Sequence, residues 1–184
     1  MKIASFFGHG DFNETDDLKC RIKSEIIDSI ENRGIDTFYL GGYGTYDYCC
    51  ARYIKELKEL YPHIKSYLII PYLDRKQDEY DKRYIKETFD GTIFPPLENV
   101  PLRFAISKRN EWIVNQSDYI FFYIDRSWSG ACKSFEMAIR KKKNYINFGR
   151  KKEWWKFSSL FIFYWIQYLH ICDYSVRCDF IPFI

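Results

Sequence analysis

One short stretch decides the fold: residues 37–45 read TFYLGGYGT. Its first four residues have high strand propensity, and Gly41, Gly42 and Gly44 after them permit a tight turn. A helical pattern follows directly, because apolar residues then recur at intervals of three and four. The apolar face of this helix consists of Cys50, Tyr53, Ile54, Leu57 and Leu60. A buried strand, a glycine turn and an amphipathic helix together form one unit of an α/β protein.

The same unit recurs on both sides of this stretch. Four more apolar runs predict strands, at residues 3–7, 66–70, 119–124 and 144–148. Helical periodicity separates them, and segment 73–101, a long charged excursion with one short helix, interrupts the alternation. Strands that alternate with helices predict a Rossmann-like three-layer sandwich, with a mostly parallel sheet of about five strands.

The helices between these strands carry local start and stop signals. Thr15 or Asp16 can cap the first helix, and Gly34 stops it. The buried stripe of this helix consists of Leu18, Ile22, Ile26 and Ile30. A further helix is predicted near residues 103–115. The last helix follows Gly130 and has an inward face of Phe135, Ala138 and Ile139.

Composition and charge narrow the class of protein. With 47% hydrophobic and 29% charged residues the chain is globular, and 184 residues suit one domain, over 1–150, followed by an aromatic C-terminal extension over 151–184. A net charge of +3 is too mild to predict nucleic acid as the partner. The first residues form no secretion signal and the six cysteines form no CxxC pair. We therefore expect a cytoplasmic protein with reduced thiols, no zinc and no cofactor.

The extension leaves three interpretations open. Residues 157–172 contain no Asp, Glu, Lys or Arg, yet the run is shorter than the ~20 residues that a spanning helix needs. We favour a helical tail that packs on the sheet or in a homo-oligomer interface. A membrane contact through residues 154–172 is the alternative, supported by Trp154, Trp155 and the basic cluster before them. The third interpretation is an extension without a structural role.

Polar and glycine-rich loops follow three of the predicted strands. Gly8 and His9 end the first strand, residues 41–45 end the second, and residues 125–130 end the fourth. The carboxyl ends of parallel strands meet at one edge of the sheet, where open α/β proteins bind ligands. The expected ligand-binding residues are Gly8, His9, Gly41, Gly42, Tyr43, Gly44, Thr45, Asp47, Arg109, Ser127, Gly130 and Glu136.

Each of these residue types has a chemical role and an ordinary alternative. The loop amides of residues 41–45 and the Thr45 hydroxyl can hold an anion, or the loop is a plain turn. Arg109 can clamp a phosphate or carboxylate, or lie on a basic surface helix. Glu136 can bond ribose hydroxyls, or be an ordinary solvated glutamate. His9 bonds a ligand or fills the turn, and a single nearby histidine predicts no metal site.

The order of four short motifs resembles the SLOG superfamily. The motifs are residues 7–9 (FGH), 40–47 (LGGYGTYD), 105–112 (AISKRNEW) and 127–131 (SWSGA), and the similarity covers residues 1–148. Within this superfamily the chain is most similar to small bacterial single-domain proteins. The Lonely Guy phosphoribohydrolases, the DNA-processing protein DprA and nucleotide-signal sensor domains also belong to it. The resemblance implies a Rossmann-like fold with a nucleotide-type ligand held by the glycine loops.

The glycine motif departs from the phosphohydrolase signature of this superfamily, PGGxGTxxE. Leu40 replaces the proline, and Tyr48 stands where the glutamate is expected. Arg109 follows the motif, although the catalytic arginine of the hydrolases precedes it. Asp47 is acidic but one place early. The resemblance therefore does not extend to this hydrolase activity, and Asp47 can instead bond a ribose or base, or cap its own helix.

Functions from three classes follow from these observations. The leading prediction is a binding or sensor protein for a nucleotide or an ADP-ribose-like molecule. The alternative is an N-glycosidic hydrolase acting on a nucleoside monophosphate, with Asp47 or Glu136 as the candidate catalytic carboxylate. A structural or partner-binding protein comes third. The hydrolase needs a carboxylate that faces the sugar of a bound nucleotide, whereas a binding protein needs only an anion site.

Overall fold

The computed structural model describes residues 1–72 and 79–149, which form six strands and five helices. In chain order these are β1 (Ile3–Gly8), α1 (Asp16–Glu31), β2 (Thr37–Leu40), α2 (Thr45–Leu57), β3 (Lys65–Ile69), α3 (Glu79–Thr88), β4 (Gly91–Ile93), α4 (Leu102–Gln116), β5 (Tyr119–Tyr123), α5 (Gly130–Arg140) and β6 (Asn144–Asn147). The predicted alternation of strands and helices is confirmed.

All six strands are parallel and lie in the order β4-β3-β2-β1-β5-β6. The chain runs outward from β1 to β4, crosses back and adds β5 on the other side of β1. Two neighbouring strands whose connections lead in opposite directions define a switch point, which here lies between β1 and β5. Phe6 of β1 is level with Phe121 of β5, and their rings stack with centroids 4.8 Å apart.

The sheet has one strand more than the sequence predicts. β4 consists of only three residues and pairs with β3 at the edge of the sheet. Three residues that begin with a glycine show neither an alternation nor an apolar run, so no local signal marks them as a strand. The short helix predicted in the same segment is α3.

The sheet is covered by helices on both faces, which confirms the three-layer prediction. Alternate residues of β1 belong to different cores: Ala4 and Phe6 pack with residues of α1 and α2, whereas Ile3 and Phe7 pack with residues of α4 and α5. Strands buried on both faces must be apolar over most of their length, and this is why β1 and β5 stand out in the sequence. Because helices pack on both faces of the sheet, the ends of the strands are fixed in position. The loops at the carboxyl edge therefore start from fixed points.

Helix starts follow the predicted signals more closely than helix ends do. Thr15 caps α1, because its Oγ1 accepts a hydrogen bond of 3.3 Å from the Leu18 amide. Two residues predicted on apolar faces are exposed instead. Leu60 lies beyond the end of α2 and is 73% exposed, and Ile139 in the last turn of α5 is 42% exposed. Both predictions are wrong, since the apolar spacing continues in the sequence beyond the part of each helix that packs on the sheet.

The predicted C-terminal extension, residues 151–184, lies outside the described residues. Within residues 1–72 and 79–149, no helix is long and apolar enough to cross a membrane. The four cysteines of these ranges, Cys20, Cys49, Cys50 and Cys132, are free thiols. The packing of the extension and its membrane contact therefore stay predictions.

Candidate functional site

A cavity of about 210 Å³ opens at the carboxyl edge of the sheet, at the switch point between β1 and β5. Its walls come from the strand ends and loops after β1, β2 and β5, and from α4 and α5. The lining residues are Phe6, Phe7, Gly8, His9, Gly10, Gly41, Tyr43, Asp47, Ile106, Arg109, Asn110, Arg126, Ser129, Gly130 and Ala131. This is the edge at which open α/β proteins bind ligands and at which the sequence predicts a site.

The glycine loop after β2 holds a carboxylate of the protein itself. Asp47, in the first turn of α2, is buried, and its Oδ2 accepts a hydrogen bond of 3.2 Å from the Tyr43 amide. The Gly41 and Gly42 amides are also close enough to this side chain to oppose the rise of its pKa. These are amides that the sequence prediction assigned to a ligand anion. The Tyr43 amide of the loop therefore bonds to Asp47, and the anion cradle at residues 41–45 stays a prediction.

Arg109 is a buried arginine whose charge acts on Asp47. It lies in the middle of α4 and is 2% exposed, so it does not belong to a basic surface. Its Nη1 donates to the carbonyl oxygens of Gly41 at 2.7 Å and Ile69 at 3.0 Å. Both contacts tie α4 to the ends of β2 and β3. Nη1 of this guanidinium therefore stabilises the start of the glycine loop.

Burial shifts the pKa values of both Asp47 and Arg109. Desolvation raises the pKa of Asp47 from 3.8 to about 7, while the Arg109 charge and hydrogen bonds from the loop amides oppose the rise. Desolvation also lowers the pKa of Arg109, and the Asp47 charge opposes that shift. A guanidinium nevertheless keeps its proton. The site thus contains a fixed positive charge beside a carboxyl group that titrates near neutral pH.

Close packing explains two of the glycines. A Cβ at Gly41 would lie 2.5 Å from Nη1 of Arg109. Gly44 has a φ of +95°, and a Cβ there would lie 2.7 Å from the Cα of Gly10. The Thr45 hydroxyl donates to the Gly10 carbonyl oxygen at 2.7 Å. The second half of the glycine loop therefore packs on the loop after β1. The Thr45 hydroxyl already has a hydrogen-bond partner in that loop.

His9, directly after β1, has an unpaired nitrogen. Its side chain is buried, and Nε2 accepts a hydrogen bond of 3.2 Å from the Asp125 amide. The Asp125 carboxylate also lies 3.1 Å from Nε2, but only the amide has the geometry of a hydrogen bond. Burial and the Arg126 charge lower the pKa of His9, so the ring is neutral at neutral pH. A neutral ring whose Nε2 is an acceptor carries its proton on Nδ1, which has no partner.

Arg126, in the loop after β5, is paired on one edge of its guanidinium and unpaired at Nε. Its Nη1 and Nη2 donate to the two carboxylate oxygens of Asp11, at 2.8 and 2.5 Å. The guanidinium also lies over the Trp128 ring, 4.9 Å from the centroid. Its Nε is buried and has no hydrogen-bond partner. Asp11 and Trp128 thus orient the guanidinium, and its Nε remains without a hydrogen-bond partner.

Three unpaired donors belong to the walls of this one cavity, which we name the donor cavity. Among the described residues, four buried side-chain nitrogen or oxygen atoms lack a hydrogen-bond partner, and three of them are His9 Nδ1, Arg109 Nε and Arg126 Nε. A buried donor without a partner costs about 1–3 kcal/mol, so such atoms indicate a place where another molecule supplies the acceptor. Ser129 caps α5 at the same wall, and this helix start adds the positive end of its dipole.

The structure brings most of the predicted site residues together. Gly8, His9, Gly41, Tyr43, Asp47, Arg109 and Gly130 line the donor cavity, whereas Gly42, Gly44, Thr45, Ser127 and Glu136 do not. The first three of the latter group belong to the glycine loop, and the other two are exposed on the loop before α5 and on α5. Across residues 1–72 and 79–149, His, Cys, Asp and Glu form no cluster that could hold a metal ion.

Sequence reasoning missed Arg126, Gly10 and Ser129 as residues of the cavity wall. A serine directly before a helical pattern is the usual N-cap signal, so Ser129 could have been found. Arg126 lies in the polar stretch that the sequence singled out, but nothing local indicates which side chain of a loop turns inward. Its partner Asp11 is 115 residues away along the chain.

The fold and the site define the class of protein. A parallel sheet in this order, with a glycine loop and a cavity at the switch point, is the architecture of a Rossmann-like protein. The chain belongs to the YspA SLOG family, whose model matches residues 6–151. The resemblance in the sequence is thereby confirmed. No curated protein matches the chain.

Solved structures share the fold at low sequence identity. DNA processing protein A of Streptococcus pneumoniae is 17% identical with a TM-score of 0.53, over 83% of this chain and 52% of that one. DNA processing protein A of Helicobacter pylori, which binds single-stranded DNA, is 13% identical with a TM-score of 0.56, over 83% and 67%. The molybdenum cofactor carrier protein of Chlamydomonas reinhardtii is 13% identical with a TM-score of 0.47, over 80% and 76%. This chain spans about half the length of the Streptococcus protein, and the likeness shows the fold alone.

Proposed function

We propose that this protein binds a nucleotide-type small molecule and holds an anionic group of it in the donor cavity. The observation that carries the proposal is the set of three unpaired donors on His9, Arg109 and Arg126. Two of them belong to guanidinium groups, which form strong hydrogen bonds to phosphate and carboxylate oxygens. An anion would give these donors a charged acceptor, which forms stronger hydrogen bonds than a neutral one.

The size of the donor cavity supports a ligand that is only partly enclosed there. Pockets that bury a drug-sized ligand measure ~300–1,000 Å³, whereas this cavity measures about 210 Å³. It can hold a phosphate group with part of a sugar, and the rest of a nucleotide must lie outside it. These dimensions allow a nucleotide or an ADP-ribose-like molecule of which only the anionic part is enclosed.

Hydrolysis of an N-glycosidic bond has less support, because of the placement of the two candidate carboxylates. Oδ2 of Asp47 accepts hydrogen bonds from the glycine loop, and Glu136 does not line the donor cavity. A pKa of about 7 would suit a general acid, but Asp47 already accepts a hydrogen bond from the Tyr43 amide. A purely structural role has less support too, since three nitrogen donors of one cavity wall make no hydrogen bond within the protein.

The test compares AMP with adenosine by calorimetry on the full chain. Arg126 is 31% exposed, so the Arg126→Met substitution should remove a donor without disturbing the core. A charged hydrogen bond contributes about 1.5–3 kcal/mol, so Arg126→Met should weaken AMP about tenfold or more and adenosine much less. Arg33→Met is the matched control, because Arg33 is a partly exposed arginine that pairs with Glu25 and Asp28 and does not line the donor cavity. It should preserve the AMP affinity.

Two results would contradict the proposal: equal affinities of the wild type for AMP and adenosine, or an unchanged AMP affinity in Arg126→Met. A single-stranded oligonucleotide is measured alongside, because the Helicobacter pylori relative binds single-stranded DNA. Tighter binding of the oligonucleotide than of AMP, with a steep loss on addition of salt, would favour nucleic acid over a small molecule.

A further inference from the structure

A second cavity, of about 240 Å³, lies beside the donor cavity. The two share Gly41 and Tyr43 as lining residues, so they meet at the glycine loop. The other walls come from α2, α3 and the end of β3, and none of the described residues that form them is charged. We name it the aromatic cavity, because its walls include Tyr43, Tyr48, Tyr72, Tyr84 and Phe89.

The aromatic rings of this cavity form a connected row. Tyr48 meets Tyr84 edge to face with centroids 5.7 Å apart, and Tyr84 meets Phe89 in the same way at 6.3 Å. Tyr48 is 50% exposed and Tyr43 is 48% exposed, so both present aromatic surface to solvent. Exposed aromatic surface in a concave site favours a planar ring that can stack on it.

Tyr43 links the aromatic cavity to the donor cavity. The Arg109 guanidinium lies 5.1 Å from the centroid of its ring, and its hydroxyl is 3.1 Å from that of Tyr72. Burial and the Tyr72 hydroxyl raise the pKa of Tyr43 to about 12, so the phenol stays neutral. A ligand that reaches from one cavity into the other must pass this neutral ring.

We propose that the aromatic cavity binds the base of the nucleotide whose phosphate lies in the donor cavity. The inference rests on the proposed function and adds the position of the base. The described residues that line the aromatic cavity are aromatic or otherwise uncharged, which suits a planar heterocycle, whereas the donor cavity carries two guanidinium groups. In a nucleoside monophosphate the sugar joins the base to the phosphate. The sugar would therefore lie at the glycine loop, where the two cavities meet.

The experiment measures the affinities of ribose 5-phosphate, AMP, GMP, CMP and UMP for the full chain by calorimetry. Every base has a face that stacks, so each nucleotide should bind roughly five- to a hundredfold more tightly than ribose 5-phosphate. Tyr48 lines only the aromatic cavity. Tyr48→Ala should reduce this advantage roughly threefold or more without changing the affinity for ribose 5-phosphate, and Tyr48→Phe should keep the advantage because it keeps the ring.

Phe104→Ala is the matched control, because Phe104 is an aromatic residue of similar exposure, 47%, that lines neither cavity. It should leave all the affinities unchanged. Nucleotides that bind no better than ribose 5-phosphate, or an advantage that survives Tyr48→Ala, would overturn the base site and leave the phosphate site standing. If ribose 5-phosphate and the nucleotides all fail to bind, the proposed function falls and the base site falls with it.

Discussion

Asp47 is a buried carboxyl group that accepts a hydrogen bond from the Tyr43 amide and lies within the field of the Arg109 charge. Burial of a charge costs several kcal/mol, on the order of what good pairing and hydrogen bonds return, so each of these contacts offsets part of the cost. Replacing Arg109 would remove this charge and would also free the Gly41 and Ile69 carbonyl oxygens. Arg109→Met is therefore expected to damage the fold and the site together, and Arg126 is the cleaner residue for a binding test.

Asp47→Asn should change how stability depends on pH. The pKa of Asp47 is raised from 3.8 to about 7 in the folded protein, so between these values the folded state holds more protons than the unfolded chain. The free energy of unfolding then falls as the pH rises from about 4 to about 7, and this contribution is absent in the variant. Urea unfolding of both proteins at about pH 4.5 and about pH 7.5 measures this difference. Between these two pH values, the free energy of unfolding of the wild type should fall relative to that of Asp47→Asn. Parallel pH dependences would show that burial does not perturb this carboxyl group.

At the scale of the elements, the starts of α2 and α5 differ in what surrounds their glycines. Gly44 precedes α2 in a left-handed backbone conformation, against the Cα of Gly10. Gly130 begins α5 at the wall of the donor cavity, and a Cβ there would have no atom within 4 Å. Packing therefore requires a glycine at position 44, whereas there is room for a side chain at position 130.

The same substitution at these two glycines should have opposite effects on stability. Gly44→Ala forces a side chain into a positive φ and against Gly10, and should cost about 1–3 kcal/mol. Gly130→Ala restricts the unfolded chain at a position whose φ is not positive, and should stabilise the protein by about 0.4–1 kcal/mol. Chemical denaturation of both variants measures the difference. A Gly44→Ala protein as stable as the wild type would mean that the loop after β2 relaxes freely.

At the scale of the whole molecule, the α/β unit is followed by a segment of different composition. All six strands and both cavities of the described chain lie within residues 1–149, and the family match ends at residue 151. Residues 157–172, by contrast, carry no Asp, Glu, Lys or Arg. An apolar surface of this extent favours burial against protein, so the homo-oligomer stays a prediction for this segment.

Ending the chain after Arg150 should change the solubility or the oligomeric state, because it removes the apolar stretch that is predicted to pack on the domain or on a second copy. Light scattering of the full and the shortened chain measures the mass of each. The membrane-contact alternative makes a different forecast: the full chain sediments with membranes and the shortened chain does not. Equal mass, solubility and melting temperature would contradict both interpretations.

The strands and the ligand edge could be predicted from the sequence because their signals are local. A strand buried on both faces must be largely apolar, as β1 and β5 are, and a turn with positive φ favours glycine, as at Gly42 and Gly44. The alternation of strands and helices then limits the topology to few choices, with the site at the carboxyl ends. β4 escaped this reasoning, since three residues at a sheet edge form no pattern.

The partners of the polar side chains were decided only by the tertiary structure. Arg109 bonds the Gly41 carbonyl oxygen 68 residues away, and Arg126 pairs with Asp11 over 115 residues. Such contacts depend on how whole strands and helices pack, and no local pattern encodes which loop side chain faces inward. The sequence by itself determined that this edge carries arginine, histidine and a glycine loop. Packing alone decided that Asp47 accepts a hydrogen bond from the Tyr43 amide of the loop and that three nitrogen donors around one cavity have no partner in the protein.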